Sequence, residues 1–355
     1  MMKSLNALLL FATFCAGFRV SAGSSVEADL AHLARIAEPD EVDLAIARGL
    51  SWLVQQQDME TGRFAGELGN THTGLATMAL MAAGHLPGRT QYGEHVRLGI
   101  LYLAGVAERE NGYFGNEGNA RMYGHGICSL ALAEAYGMMP TDAENRRVKA
   151  ALMAANEVTF GAQVTDESNE RHYGGWRYQP RPRDADLSVT AWFVLTLRAS
   201  QNAQLPVPEE VMTRAIDYVN RTWEEDKQSY SYQPGNNQSV SMRTAGVVAM
   251  LAMGQNEDPA LRRRHERSME FLDDFDPLNG RYFYYQSYYV ATAANMIGDA
   301  QREAFLPRME QALLSLQNED GSFQRHRGHA GGVYSTAFAL LTLAIRYQYL
   351  PIYQE

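Results

Sequence analysis

The sequence predicts an all-α protein, a closed six-hairpin α6/α6 barrel, and three observations carry that prediction. A Gly/aromatic turn recurs six times, roughly 40 to 60 residues apart, the mark of a repeat architecture. Before the turns lie amphipathic segments with one wet face. After them come segments apolar or small nearly all round, as helices covered on both sides should be.

The turns read Gly62-Arg63-Phe64, Gly112-Tyr113-Phe114, Gly174-Gly175-Trp176, Tyr230-Ser231-Tyr232, Gly280-Arg281-Tyr282-Phe283 and Gly321-Ser322-Phe323; the fourth lacks its glycine. Val42 to Gln56 and Phe305 to Gln317 place apolar residues at three- and four-residue spacing and are expected to be outer helices. Thr73 to Ala83, Gly126 to Tyr136 and Thr336 to Ile345 are expected to be inner ones. Connections carry Pro87, Pro140, Pro206 and Pro259. Six such hairpins make a single domain over residues 41–350, behind an N-terminal segment at 23–40.

Residues 1–22 are expected to be a signal peptide: Lys3, an apolar run from Ala7 to Phe18, then Val20-Ser21-Ala22, a small-x-small cleavage pattern. The run is too short to span a membrane, so no transmembrane segment is expected after its removal, and the protein is expected to be exported to the periplasm, cell envelope or exterior. Removal takes Lys3, Arg19 and Cys15, leaving 29 basic against 41 acidic residues and Cys128 with no partner for a disulfide. The whole chain, at a formal charge of -10, would be repelled by nucleic acid and by anionic lipid. At 46% hydrophobic residues it has material for a large core.

Because each turn leads into an inner helix, all six inner helices run parallel and their N-termini share one rim. Unpaired amides and helix dipoles converge there, a setting that favours an anion. The segments feeding the rim are basic: Arg171, His172, Arg177, Arg181 and Arg183, then Arg243, then Arg325, His326, Arg327 and His329. Solvated surface arginines are the alternative reading.

Leu316-Gln317-Asn318-Glu319-Asp320-Gly321-Ser322-Phe323, the run from Trp52 to Gln57 leading to Gly62-Arg63-Phe64, Met122-Tyr123-Gly124-His125-Gly126 and Gly331-Gly332-Val333-Tyr334-Ser335-Thr336-Ala337 carry a family likeness. Across most of the chain the sequence resembles the terpenoid cyclase and protein prenyltransferase superfamily, especially bacterial exported squalene-cyclase-like repeat proteins. That resemblance implies an alpha/alpha toroid and an isoprenoid bound or cyclised in the barrel. Class II cyclases protonate their substrate from the middle aspartate of Asp-x-Asp-Asp. The similar stretch is Asp184-Ala185-Asp186-Leu187, which makes Asp186 and Asp184 the implied catalytic acids, although Leu187 replaces the last aspartate. The alternative role for Asp186 is the N-cap of the helix that starts at Leu187. Prenyltransferases hold zinc with Asp, Cys and His. No matching Asp-x-Cys occurs, and Cys128 reads as a small core residue, so no cofactor and no metal are assigned. His72, His125 and His329 lie near starts of inner helices but lack a metal-binding spacing.

Trp192, Tyr289 and Tyr334, in first turns of inner helices, are the aromatic residues expected to line a cavity, with Arg177, Arg243 and His329 as further ligand contacts. Glu134, a carboxylate in an apolar helix, must find a partner. Two other functions fit the sequence. One is a carbohydrate-active enzyme, a glycosidase or polyuronate lyase, with Asp184 and Asp186 as acids and Arg177, Arg243 and Tyr334 as clamp. The other is a non-catalytic binding module of the cell envelope. The expected partner is a small molecule or glycan, either anionic or isoprenoid.

Overall fold

Twelve helices alternate between an outer and an inner layer in the computed structural model, which describes residues 38–119, 121–255, 258–270, 275–280, 282–326 and 331–353. The signal-peptide reading at 1–22 lies outside the described residues, as do most of the 23–40 segment and His329. Residues 45–355 form one compact unit; of the unit before it, residues 41–44 are the first turn of a helix.

The outer helices are α1 (Glu41–Val54), α3 (Gly93–Arg109), α5 (Asp142–Gly161), α7 (Glu209–Arg221), α9 (Pro259–Glu270) and α11 (Asp299–Leu314). The inner ones are α2 (Gly69–Ala82), α4 (Arg121–Ala135), α6 (Leu187–Asn202), α8 (Val240–Ala252), α10 (Phe283–Ile297) and α12 (Val333–Ala344). α7 shows the outer pattern: Val211, Met212, Ala215, Tyr218 and Val219 are buried on one face and polar residues cover the other. In α6 every residue from Leu187 to Leu197 is buried. Each inner helix packs on the next, and α12 packs on α2, so the ring closes.

Side-chain bonds at the turns tie neighbouring repeats, and they explain the recurring residues. Gln57 Nε2 donates to the carbonyl of Gly62 in its own turn and to His95 O of the next outer helix. Gln163 does the same with Gly174 O and Val211 O, and Gln317 with Gly321 O and Ala45 O, the last bond joining the sixth repeat to the first. Their Oε1 atoms meet His95, Arg214 and Arg48 at 2.7 to 2.8 Å. Gly321 has φ +91°, and a Cβ there would stand 2.3 Å from Arg48 O, so only glycine lets the turn reach the neighbouring helix. The amides of Phe64, Trp176 and Phe323 donate to Thr73, Thr190 and Thr336 of the following inner helices.

Three features differ from the expectation. Inner helices begin three to five residues earlier, at Gly69, Arg121 and Val333, because their first turns are polar or glycine-rich and hide the apolar pattern. α11 begins at Asp299, ahead of the expected Phe305, and carries Pro307 inside it. The fourth turn is not a turn: Tyr230-Ser231-Tyr232 belongs to β2 (Ser229–Gln233) of an antiparallel sheet with β1 (Trp223–Glu224) and β3 (Asn236–Gln238). Trp223 pairs with Tyr230, and Gln233 pairs with Asn236 across Pro234-Gly235.

Candidate functional site at the rim

Asp186 is the N-cap of α6 and is fully buried. Its Oδ1 accepts from Val189 N at 2.9 Å and from Ser188 Oγ at 2.5 Å. Its Oδ2 accepts from Arg177 Nη1 at 2.5 Å and Tyr232 OH at 3.3 Å. Arg177 Nε reaches the half-exposed Asp184 at 3.0 Å, so one guanidinium joins both aspartates. Burial pushes the Asp186 carboxyl up, opposed by Ser188, Arg177 and Val189. Two of its four donors, a backbone amide and a guanidinium, cannot accept a proton in return, so the geometry favours the carboxylate. Burial would lower Arg177, but Asp186 and Tyr232 reverse it and hold the guanidinium above its ordinary value.

Tyrosines surround this pair. The Arg177 guanidinium lies 4.3 Å from the centre of the Tyr178 ring and 5.5 Å from that of Tyr232, and the two phenols hydrogen-bond each other. Tyr123, in the first turn of α4, stacks on Tyr178 at 5.7 Å and donates to Ser188 Oγ. Tyr285, in the first turn of α10, donates to Ser188 O at 3.3 Å, reaching across the ring to α6. These bonds bring the N-termini of α4, α6 and α10 to one end. Gln233 Nε2, on β2, donates to Ala185 O at 2.9 Å, so the hairpin lies over the loop that carries both aspartates.

Below the rim the barrel axis is filled by rings. Trp192 stacks on Tyr288 at 5.7 Å with planes 2° apart and meets Tyr289 and Phe338 edge-on. Tyr334 contacts Phe338 at 4.9 Å. Trp192 and Tyr289 are fully buried, so these residues gather on the axis as packing partners of one another. From the far end, the C-terminal turn Pro351–Tyr353 packs against α6 and α10, and Tyr353 OH donates to Tyr288 OH at 3.0 Å.

The other expected site residues lie elsewhere. Arg243 is buried and donates from Nη1 to Gln228 O at 2.8 Å, in the β1-β2 connection. His72 Nδ1 meets Ala65 O at 2.8 Å. His125 Nε2 faces Ala155 O and Thr159 of α5, and burial lowers it to about 3. Cys128 is buried, with Sγ against Asn70 O. Among the described residues no three His, Cys, Asp or Glu gather closely enough to hold a metal.

Sequence reasoning did not assign Tyr123, Tyr178, Ser188, Tyr232 or Tyr285 to the site. The signal for Tyr232 was present: Ser229-Tyr230-Ser231-Tyr232-Gln233 alternates as a strand does, and Pro234-Gly235 is a hairpin turn.

No protein-family model and no curated sequence matches the chain. Solved structures do resemble it. An inactive variant of the α-1,6-mannanase GH76A of Salegentibacter sp. HEL1_6, in complex with α-1,6-mannotriose, superposes with a TM-score of 0.64 at 10% identity, covering 84% of this chain and 97% of that one. The same mannanase without those substitutions gives 0.63 at 11% identity, with 84% and 97% covered. The type II terpene cyclase MstE from Scytonema gives 0.54 at 15% identity, with 85% and 97% covered. Likeness at such low identity speaks for architecture alone, and with the closed ring of α2 to α12 it establishes the chain as an alpha/alpha toroid.

Proposed function

We propose that the protein is an exported carbohydrate-binding toroid that takes a neutral glycan across its tyrosine-lined rim. The observation that carries this reading is the bracket of Tyr178 and Tyr232 around Arg177, extended by Tyr123. Tyr123, Tyr178 and Tyr232 are each only half-buried, and their remaining apolar ring area lies beside the polar Arg177, Asp184 and Gln233, a mixture that suits the alternating CH and OH surfaces of a sugar. The mannanase complex, with mannotriose bound on the same architecture, supports a glycan ligand. Export rests on the leader-like residues 1–22.

Charge argues for a neutral sugar. Arg177 is shared between two aspartates and has no cation left for a uronate, while Arg243 is committed to Gln228. Hydrolysis normally needs two carboxylates able to reach the glycosidic bond. Asp186 is enclosed and acts as a cap and as the anchor of Arg177, whereas Asp184 has a side chain 45% exposed and is the carboxylate open to solvent. The filled axis weighs against an isoprenoid lying inside the ring.

Titration calorimetry with manno-oligosaccharides, with polygalacturonate as the anionic comparison, tests the reading. Binding of the neutral chain should weaken about tenfold or more in Tyr232→Ala, the scale of losing one aromatic anchor. Tighter binding of polygalacturonate, or of a geranylgeranyl amphiphile with no response to Tyr232→Ala, would overturn it. Product release from the same oligosaccharides, compared with Asp184→Asn, shows whether binding leads to cleavage.

A further inference from the structure

A second concave surface lies on the outer wall, where α3 meets the first repeat's turn and α5. It encloses about 400 Å³, within the range of small-molecule sites. Leu98, Leu101 and Tyr102 share one face of α3 and contribute an apolar surface. Arg109, in the last turn of α3, and Arg147, from α5, line it as well.

The two arginines converge. A Cβ built on the buried Gly105 would lie 3.1 Å from Arg147 Nη2 and 3.3 Å from Arg109 Nη1, so both guanidinium groups press on one point of the helix. Glu108 neutralises one of them, accepting from Arg147 Nε at 2.7 Å and Nη2 at 2.9 Å. Arg109 has no ion pair among the described residues. Glu108 satisfies only Arg147, so the Arg109 guanidinium is left without an ion pair beside an apolar floor. Glu60 lines the same cavity and pairs with neither arginine among the described residues; with Glu108 it brings the local charge to zero, so a ligand gains only where a single carboxylate meets Arg109 directly.

We propose that this groove binds a small organic monocarboxylate. Its carboxylate sits between Arg109 and the remaining edge of Arg147, and its body lies on Leu98, Leu101 and Tyr102. The site is separate from the rim and does not depend on the glycan reading.

Benzoate, with benzamide as its uncharged counterpart, is the probe for titration calorimetry on the full chain. Benzoate should bind saturably, benzamide at least about tenfold more weakly, and Arg109→Gln should lower benzoate affinity by a similar factor, as expected for losing a charge-assisted bond. Because Arg109 is exposed and makes no ion pair, its variant should keep the wild-type urea midpoint. Tyr232→Ala should leave benzoate binding unchanged. No saturable benzoate binding at millimolar concentration, equal affinity for benzamide, or an unchanged affinity in Arg109→Gln would each overturn the proposal.

Discussion

The two ends of the inner ring each bury a carboxylate, and they treat it in opposite ways. At the rim, Asp186 has four donors, one of them the Arg177 guanidinium. At the far end, Glu134 accepts one bond at 3.4 Å, from Ile352 N of the C-terminal turn, and its Oε1 has no partner among the described residues. Burial raises both groups. It is opposed three ways at Asp186, while at Glu134 only the Ile352 amide works against it and the carboxyl reaches about 8. The rim thus keeps a fixed charge pair among tyrosines, and the far end keeps a neutral acid under a plug. An ordered, charged and tyrosine-lined surface is where a polar ligand finds partners; a neutral sealed end is packing.

The largest effect should come from uncovering the rim charge. Arg177→Met leaves the Asp186 carboxylate buried without a cation, a change that typically costs about 3 to 5 kcal/mol. The loss should be greater at pH 8 than at pH 5, since without Arg177 the Asp186 carboxyl is raised further and its protonated form relieves the penalty at low pH. Urea denaturation at the two pH values measures this. Equal and small losses would mean that the pair does not hold the rim together.

The far end should show a smaller, pH-dependent effect. The folded carboxyl of Glu134 titrates near 8 and the unfolded one near the ordinary 4.5. A raised acid contributes stability that is complete below the unfolded value and is lost as pH rises through the folded value. Between pH 6 and 8 that loss is about 2 kcal/mol. Glu134→Gln cannot ionise, so its stability relative to the natural protein should improve by about this amount over the same interval. Parallel pH profiles for the two proteins would show that Glu134 has an unseen partner and that the two ends do not differ as argued.

Much of this contrast was legible in the residues. Gly/aromatic turns marked all the inner helices but α8, Asp186 preceded an apolar run as a cap does, and Glu134 stood out in Leu130-Ala131-Leu132-Ala133-Glu134. Closure was read from the count of six hairpins, and the structure makes it with Gln317, which binds α1 as Gln57 binds α3. What the chain order concealed was long-range: Tyr232 meets Arg177 across 55 positions and Tyr285 meets Ser188 across 97. Placement near the starts of inner helices likewise predicted that Trp192, Tyr289 and Tyr334 line a cavity, but whether rings line a space or fill it depends on partners from other helices. Trp192 on Tyr288 is a contact between α6 and α10. Arg243 misled for the same reason: it is near an inner-helix start, yet its side chain donates to the β1-β2 connection.

The smallest effect on stability should accompany a clear effect on binding, and it isolates the one element in which a repeat departs from its pattern. The turns at Gly62, Gly174 and Gly321 are stapled to the neighbouring hairpin, whereas the fourth extends into β2 and β3 and brings Tyr232 and Gln233 over the neighbouring repeat's aspartate loop. Gly235 occupies the tip with φ +78°, and a Cβ there would meet nothing within 4 Å. Gly235→Ala therefore adds only backbone strain, on the order of 1 kcal/mol. Because that strain falls on the two-residue turn that pairs Gln233 with Asn236, the tip should relax and Tyr232 should lose its register on Arg177. Glycan affinity should fall severalfold while the urea midpoint moves little. If affinity is unchanged, the hairpin is a variant of the stapled turns and Tyr178 with Tyr123 makes the surface; if stability falls as far as affinity, the hairpin belongs to the barrel's framework and the rim has no separable binding element.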